Sequence, residues 1–283
     1  FLCSSEEQRL YYAGFLTALG RIHPERAAAD PTLAGLLGIV PFGLDAELPE
    51  HRPLLPGREA GERRLLFGGL YDWYDPGVVL EALERLDDPC VTLLVVRHPA
   101  PESTPQARFA ELERTCRKRG WWGERVRAID WVPAERRWDL LREVDALVAT
   151  HRAGLETDLA LRTRFVDALA CGCPAISSAG GTVARRLAER RAGWVVPCGD
   201  AGALAEALVE VLAGGEPVEE RRRRGRELAR EFLWEKALEP LIGFLRTARV
   251  DPSKERFAFR PPTVAPPDSL PFRVRRWLRR RRG

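Results

Sequence analysis

The stretch Asp167-Ala168-Leu169-Ala170-Cys171-Gly172-Cys173-Pro174-Ala175-Ile176 decides the fold, because a helical segment that runs to Ala170 is followed within a few residues by a strand. The same alternation of short apolar runs and amphipathic helices extends outward from this junction, back to about residue 64. Such an alternation predicts an α/β fold with a doubly wound parallel sheet. The β-branched apolar runs place its strands at Leu65–Gly68, Val91–Val96, Val126–Asp130, Ala146–Ala149, Pro174–Ser177 and Trp194–Val196.

Helix signals lie between these strands. Capping and first-turn residues predict three helices: Asp75-Pro76 starts one that runs through Leu86, Pro105 opens one that stops at Gly120, and Asp200 caps one through Leu212. Doubly wound folds bind their ligands beyond the carboxyl ends of the strands. We therefore expect the site in the segments that follow residues 68, 97, 131, 149 and 177.

Composition and charge exclude several classes of protein. The 283 residues carry a net charge of +4, concentrated in the last dozen residues. The body is near neutral, so we expect no nucleic-acid partner. No apolar run approaches the roughly 18 residues that a membrane span requires. The six cysteines lack the paired spacing of a zinc site, so we expect no metal and free thiols in a reducing cytoplasm.

The flanking segments do not complete a second domain. Ser4–Ile22 predicts a helix, Ile39–Phe42 a strand, and Glu219–Arg249 a long charged helix interrupted near Pro240. The chain begins with Phe1 and contains no Met, so we interpret it as part of a longer protein.

Six blocks of sequence, in a consistent order, resemble the second half of retaining GT-B glycosyltransferases, the group that contains the family-four bacterial sugar transferases. A single block would be a weak signal, but six in order indicate the fold. The blocks are Val40-Pro41-Phe42-Gly43-Leu44-Asp45, Leu65-Leu66-Phe67-Gly68-Gly69-Leu70, Ile129-Asp130-Trp131-Val132-Pro133, Val144-Asp145-Ala146-Leu147-Val148, the stretch over 167–176, and Gly193-Trp194-Val195-Val196-Pro197 with Asp200 and Leu204.

The resemblance implies a division of the chain into five parts. Residues 1–45 are then a remnant of the N-terminal acceptor lobe, 46–63 a linker, 64–214 the nucleotide-sugar-binding domain with a Rossmann-like sheet, 215–250 a C-terminal crossover helix, and 251–283 a Pro-rich linker with a basic tail. The missing lobe would hold the acceptor and any general base.

Two features depart from the family pattern. The usual pair of Glu residues, with seven residues between them, is absent. The second position of the pair is Asp167, and the first, eight positions earlier, is Leu159. The nearest acid is Glu156, and the run from Glu156 to Asp167 resembles a bacterial subgroup that reads ET.LS.RTR..D. The Lys that commonly follows the glycine turn is replaced by Tyr71-Asp72-Trp73-Tyr74-Asp75.

The leaving diphosphate of a sugar donor needs its charge neutralised, and arginines with helix amino termini supply this without a metal. Arg162 and Arg164 enter the helix before Ala170, so we expect both to contact phosphate oxygens. The alternative is that one of them is a structural ion-pair partner of Glu156 or Asp158.

The two acids receive different roles by resemblance. Asp167 would accept hydrogen bonds from both ribose hydroxyls, since one carboxylate fits a vicinal diol. The alternative is a solvated helix acid. Glu156 would hold hydroxyls of the donor sugar.

Five further positions are expected to bind the donor. Gly68 and Gly69 let the backbone approach a phosphate or the acceptor sugar, or else they serve the turn alone. Arg97 ends its strand at the ligand edge and could meet the diphosphate. Trp131 and Val132 would form a wall against the nucleobase, unless Trp131 is a core residue.

The resemblance implies a metal-independent, retaining transferase that moves a sugar from a nucleotide-diphosphate donor to a glycan or lipid-linked acceptor. No cofactor is expected beyond the nucleotide sugar itself. The alternative, suggested by the lost Glu pair and Lys, is a non-catalytic nucleotide-sugar-binding or membrane-docking subunit.

The basic tail predicts a contact with an anionic membrane surface through residues 269–282. Its seven Arg residues surround an apolar face, and each Arg near an anionic leaflet contributes on the order of 1 kcal/mol. Solvated disorder is the alternative. We therefore expect a cytoplasmic protein, peripheral at the inner face of the membrane.

Overall fold

The computed structural model describes residues 1–99 and 106–250. Its strands are β1 (Leu2–Cys3), β2 (Gly38–Ile39), β3 (Arg63–Gly69), β4 (Val91–Val96), β5 (Val126–Ile129), β6 (Ala146–Ala149), β7 (Ala175–Ser178) and β8 (Trp194–Val196). Its α-helices are α1 (Glu6–Ala18), α2 (Pro24–Ala29), α3 (Pro76–Leu86), α4 (Ala107–Lys118), α5 (Arg137–Arg142), α6 (Leu155–Leu159), α7 (Thr163–Cys171), α8 (Gly181–Arg190), α9 (Ala201–Ala213), α10 (Glu216–Ala229), α11 (Trp234–Ala237) and α12 (Glu239–Thr247). The helix start predicted at Pro105 and the predictions for 251–283 lie outside the described residues.

A six-stranded parallel sheet in the order β5-β4-β3-β6-β7-β8 confirms the doubly wound fold. The chain leaves β3 toward one edge of the sheet and returns at β6 to build the other. The helices form two layers, since α3 packs against α4 and α9, while α7 packs against α5, α8 and α10. The crevice between the carboxyl ends of β3 and β6 is the switch point, where folds of this kind bind ligands.

Burial explains why the strands could be predicted. All six residues of β4 and all four of β6 are buried, because helices cover both faces of a parallel sheet. Such strands appear in the sequence as unbroken apolar runs. The predicted cap at Asp200 is also confirmed, as its side chain accepts a hydrogen bond from the Ala203 amide over 2.9 Å.

The prediction of one charged helix over Glu219–Arg249, broken near Pro240, is wrong. The chain forms α10, a single 3-10 turn at Arg230–Phe232, and then α11 and α12. The break falls at Leu233, whose backbone is extended (φ −59°, ψ 141°), and Pro240 lies in the first turn of α12, where no amide donor is needed. Helix α10 belongs to the helix layer of the sheet, because it packs against α7.

Beyond Leu233 the chain does reach the first 45 residues. The Leu44 amide donates to the Phe232 carbonyl over 2.7 Å, and the Trp234 amide donates to the Leu44 carbonyl over 2.9 Å. Helix α12 then packs near β2.

Residues 1–45 form a small unit around the parallel pair β1 and β2. Ser5 caps α1 by accepting from the Gln8 amide, and a separate cluster of buried side chains lies beneath that helix. The helix predicted over Ser4–Ile22 ends at Ala18, ahead of Gly20 in the left-handed region (φ 68°). The strand predicted over Ile39–Phe42 is limited to Gly38–Ile39, since Pro41 has no amide to donate. The five-part division of the chain stays a prediction.

Candidate functional site

The glycine pair ends β3 at the switch point. The pairing of β3 with β4 shifts register between Leu66 and Gly68, and Gly68 has a φ of 75°. The two glycines are therefore the bulged end of the strand itself and not the turn after it. A Cβ on Gly68 would stand 2.8 Å from the Arg164 Nη1 atom, so a larger residue would be strained at this backbone conformation and would displace the Arg164 guanidinium.

Arg164 reaches this strand end from the first turn of α7. Its Nη1 donates to the Gly69 carbonyl over 3.1 Å, and its guanidinium carbon lies 5.6 Å from the centre of the Tyr74 ring. The structure thus brings together three of the predicted residues: Gly68, Gly69 and Arg164.

Arg162 is used differently, although it is only two residues away. It precedes α7 with a left-handed backbone (φ 58°). Its Nη1 donates to the Ser177 hydroxyl and to the Ser178 carbonyl, each over 2.6 Å, and its Nη2 donates to the carbonyls of Thr157 and Ala179. These partners tie the end of β7 to α6, in place of the ion pair considered from the sequence. A phosphate contact of Arg162 stays a prediction.

Asp167 lies one turn further along α7 and is partly buried. Its Oδ2 accepts from the Nε of Arg137, the first residue of α5, over 3.1 Å. Burial raises the pKa of Asp167, whereas the charges of Arg137 and Arg164 act in the opposite direction. A carboxylate held in this way keeps one oxygen for a further hydrogen bond, as a ribose contact would require.

Glu156 and Arg97 lie on exposed ends of their elements. Partial desolvation raises the pKa of Glu156, and the charge of Arg162 opposes the shift. The guanidinium carbon of Arg97, which follows β4, lies 5.9 Å from the centre of the Phe109 ring. Neither residue contacts the Gly68–Arg164 group through a described hydrogen bond or ion pair, so their roles stay predictions.

Trp131 is 45% exposed, so the alternative in which it is a core residue is wrong. The His98 ring meets it edge-on at 4.9 Å between centroids. Val132 is half-buried against the main core. An exposed indole held by a neighbouring ring is suited to stacking on a flat ligand, and the nucleobase contact stays a prediction.

Sequence reasoning missed a group of aromatic rings between the two strand ends. His151 follows β6 and lies 4.6 Å from the Tyr74 ring, while Tyr71 and Trp73 stack on one another at 4.9 Å. The signal was the Tyr71–Asp75 segment that replaces the expected Lys, but its packing on His151 depends on a contact distant in sequence.

His151 is buried and neutral. Its amide donates to the Ser178 hydroxyl over 2.9 Å, and its ring Nδ1 lies 3.3 Å from the same oxygen. Burial lowers the pKa of His151 to about 3, with the charges of Arg162 and Arg164 acting in the same direction. The ring therefore carries no positive charge toward a bound anion at neutral pH.

Within residues 1–99 and 106–250, no three His, Cys, Asp or Glu side chains are grouped to hold a metal ion. The expectation of metal-independent chemistry stays a prediction. No helix in that part of the chain has the length and apolar character of a membrane span.

Residues 62–214, more than half of the chain, match the family model described as glycosyl transferases group 1. The chain belongs to this family. Among curated relatives of this group 1 chain is the phosphatidyl-myo-inositol mannosyltransferase of Mycobacterium leprae, 27% identical over 225 residues, which are 77% of this chain and 56% of that protein. The chain thus spans about half the length of the curated relatives it matches.

Solved structures share the fold of this group 1 domain. Sucrose-phosphate synthase from Thermosynechococcus elongatus matches with a TM-score of 0.60 at 22% identity, over 87% of this chain and 57% of that one. HepE of Anabaena, solved with UDP-glucose, matches with a TM-score of 0.60 at 16% identity, over 75% of this chain and 58% of that one. These likenesses confirm the GT-B fold, with this chain fitting the C-terminal half.

Proposed function

We propose that this chain carries the donor site of a glycosyltransferase that moves a sugar from a nucleoside diphosphate to a glycan or lipid-linked acceptor. The observation that carries the proposal is the Arg164 guanidinium placed against the bare Gly68–Gly69 strand end, at the switch point of the sheet. A cation beside exposed backbone suits a diphosphate more than any neutral ligand.

The chemistry requires charge stabilisation at this position. As the bond from the sugar's anomeric carbon to the diphosphate breaks, its electron pair leaves with the phosphate oxygen. The acceptor hydroxyl oxygen bonds to the same carbon, and its proton passes to the departing diphosphate. Donors that are already in place stabilise the departing charge without reorganisation. Arg164 and the amides at the start of α7 are proposed for this role, without a metal ion.

The other predicted residues fit around that diphosphate. We assign the ribose hydroxyls to Asp167, the nucleobase wall to Trp131 and Val132, and the donor-sugar hydroxyls to Glu156. We also assign contacts with the diphosphate to Arg162 and to Arg97. Retention of configuration at the anomeric carbon is proposed from the resemblance alone.

The names of two similar proteins support a nucleotide sugar as the donor and a lipid as the acceptor. HepE was solved with a nucleotide sugar, UDP-glucose, and the mycobacterial relative is named a phosphatidyl-myo-inositol mannosyltransferase. We accordingly propose a hexose donor and an acceptor presented at the cytoplasmic face of a membrane.

Calorimetric titration of the chain with UDP and with GDP tests the donor site. Arg164→Ala should weaken binding of the preferred diphosphate by about 1.5–3 kcal/mol, the range for a hydrogen bond to a charged group. Arg114→Ala serves as the matched control, because Arg114 is exposed on α4. Equal affinity of the Arg164→Ala variant and the wild type would refute the assignment.

The missing Glu pair and Lys favour one second candidate, a nucleotide-sugar-binding subunit without transferase activity. Both candidates predict diphosphate binding. Only the transferase predicts slow release of free sugar from a nucleotide-sugar donor by the complete protein, which liquid chromatography of the released nucleotide would detect.

A further inference from the structure

Tyr71 places a second hydrogen-bond donor beside Arg164. A Cβ built on Gly69 would stand 3.5 Å from the Tyr71 hydroxyl oxygen and 3.8 Å from the Arg164 Nη2 atom. The hydroxyl and the guanidinium therefore converge on the same bare side of Gly69, where a side chain on that residue would otherwise stand.

Neighbouring rings fix the Tyr71 ring in this position. Trp73 stacks on it at 4.9 Å between centroids with an angle of 24°, and His98 meets it edge-on at 5.9 Å. Tyr74 lies at 6.0 Å on a near-parallel plane. A ring held from several directions keeps its hydroxyl oriented before a ligand arrives, which lowers the entropic cost of binding.

The Tyr71 hydroxyl has no hydrogen-bond acceptor within residues 1–99 and 106–250. Phenolic hydroxyls that are partly buried usually have a partner. An oriented donor with an unused hydrogen, beside a guanidinium, is suited to an oxyanion that bridges the two groups.

We propose that the Tyr71 hydroxyl and the Arg164 guanidinium together hold the leaving diphosphate. This inference rests on the proposed donor site. A hydroxyl supplies a hydrogen bond without a full charge, so Arg164 provides the charge and Tyr71 provides a second, directional contact.

Tyr71→Phe tests the inference, because it removes the hydroxyl and keeps the ring stack. In the full chain, titration with the preferred diphosphate, UDP or GDP, should show affinity about three- to tenfold lower, the effect of one neutral hydrogen bond. Titration with the nucleoside of the same base should show no change, whereas a merely structural role would weaken both ligands. Tyr11→Phe, which removes an exposed hydroxyl on α1, should change neither affinity.

A second variant keeps the test decisive. Tyr71→Lys introduces a cation at this position and should bind the diphosphate more tightly than Tyr71→Phe does. If Tyr71→Phe and Tyr71→Lys both match the wild type while Arg164→Ala weakens binding, the Tyr71 inference is overturned and the donor site stands. If Arg164→Ala also leaves the affinity unchanged, the donor site itself is overturned.

Discussion

At the scale of single residues, two arginines two positions apart serve different purposes. The Arg162 guanidinium donates to the Ser177 hydroxyl and to backbone carbonyls near the end of β7 and in α6. Among residues 1–99 and 106–250, the Arg164 side chain makes one hydrogen bond, to the Gly69 carbonyl, and its other donor hydrogens remain available to a ligand. The sequence predicts both arginines at the ligand edge of the sheet. The three-dimensional packing shows that Arg162 supports the loops and that Arg164 faces the crevice.

His151 predicts a pH dependence of folding. Its pKa is about 3 in the folded chain against an ordinary value of 6.5, so between these values the unfolded chain binds a proton that the folded chain does not. His151 should therefore not lower the free energy of unfolding above pH 6.5. As the pH decreases from 6.5 toward 3, the free energy of unfolding should fall by up to about 1.4 kcal/mol per pH unit. Urea unfolding of the wild type and of His151→Asn at pH 7, 6, 5 and 4 measures the effect.

The difference between the two pH profiles is the decisive quantity, since carboxylates such as Glu62 and Asp139, whose pKa values are lowered by hydrogen bonds, destabilise both proteins in acid. The His151→Asn profile should be flatter between pH 6 and pH 4. Parallel profiles would mean that His151 accepts a proton in the folded state.

At the scale of elements, the central sheet could be predicted and the flanking helices only in part. Strands that are buried on both faces appear in the sequence as continuous apolar runs, so they can be predicted without knowing their neighbours. Strands β4, β6 and β8 have the predicted bounds. The end of α10 depends instead on how Leu233 and Leu44 pair across the molecule. The pairing of Arg137 with Asp167 likewise joins α5 to α7, and no spacing rule in the sequence indicates it.

The packing of α10 on α7 predicts opposite effects for two glycine substitutions. A Cβ on Gly225, in the middle of α10, would stand 2.9 Å from the Leu169 Cδ2 atom, and Leu169 is buried in the core. Gly225→Ala should therefore lower the free energy of unfolding by about 1–3 kcal/mol, the cost of overpacking. Gly14→Ala in α1 is the matched control, because its Cβ meets nothing within 4 Å.

The control should raise the free energy of unfolding by about 0.5–1 kcal/mol, the usual gain from alanine over glycine in a helix. Urea unfolding of both variants gives the comparison. A stability gain in Gly225→Ala equal to that in Gly14→Ala would contradict close packing between α10 and α7.

At the scale of the whole molecule, the first 45 residues contact both the sheet domain and the helices that follow it. Glu7 accepts from Thr182 and Arg185 of α8, and the Gln8 side chain donates to the Leu159 carbonyl at the end of α6. In α11, the Trp234 ring lies against Gly43 and leaves no room for a Cβ at that position. The contacts to α6 and α8 lie beside the carbonyls of Thr157 and Ala179 that accept hydrogen bonds from Arg162.

The basic tail predicts a contact with an anionic membrane surface. Residues 269–282 lie outside the described residues, and their sequence surrounds Leu270, Val274, Trp277 and Leu278 with seven arginines. A lipid-linked acceptor is presented at a membrane surface, so a chain that docks there meets it more often. We expect the full chain to sediment with liposomes that contain anionic lipid, and a chain ending at Pro267 to remain in solution.

The salt dependence of liposome binding distinguishes an electrostatic contact of the tail from an apolar one, because the Debye length falls from about 10 Å at 0.1 M salt to about 3 Å at 1 M. With each Arg contributing on the order of 1 kcal/mol at an anionic surface, binding through charge should be lost at 1 M salt and on neutral liposomes. Trp277→Ala in the full chain is the control for an apolar contact and should retain most of the binding at 0.1 M. Equal sedimentation of the full and shortened chains would show that the tail does not bind membranes. Sedimentation that persists at 1 M salt but is lost in Trp277→Ala would show that the contact is apolar and not electrostatic.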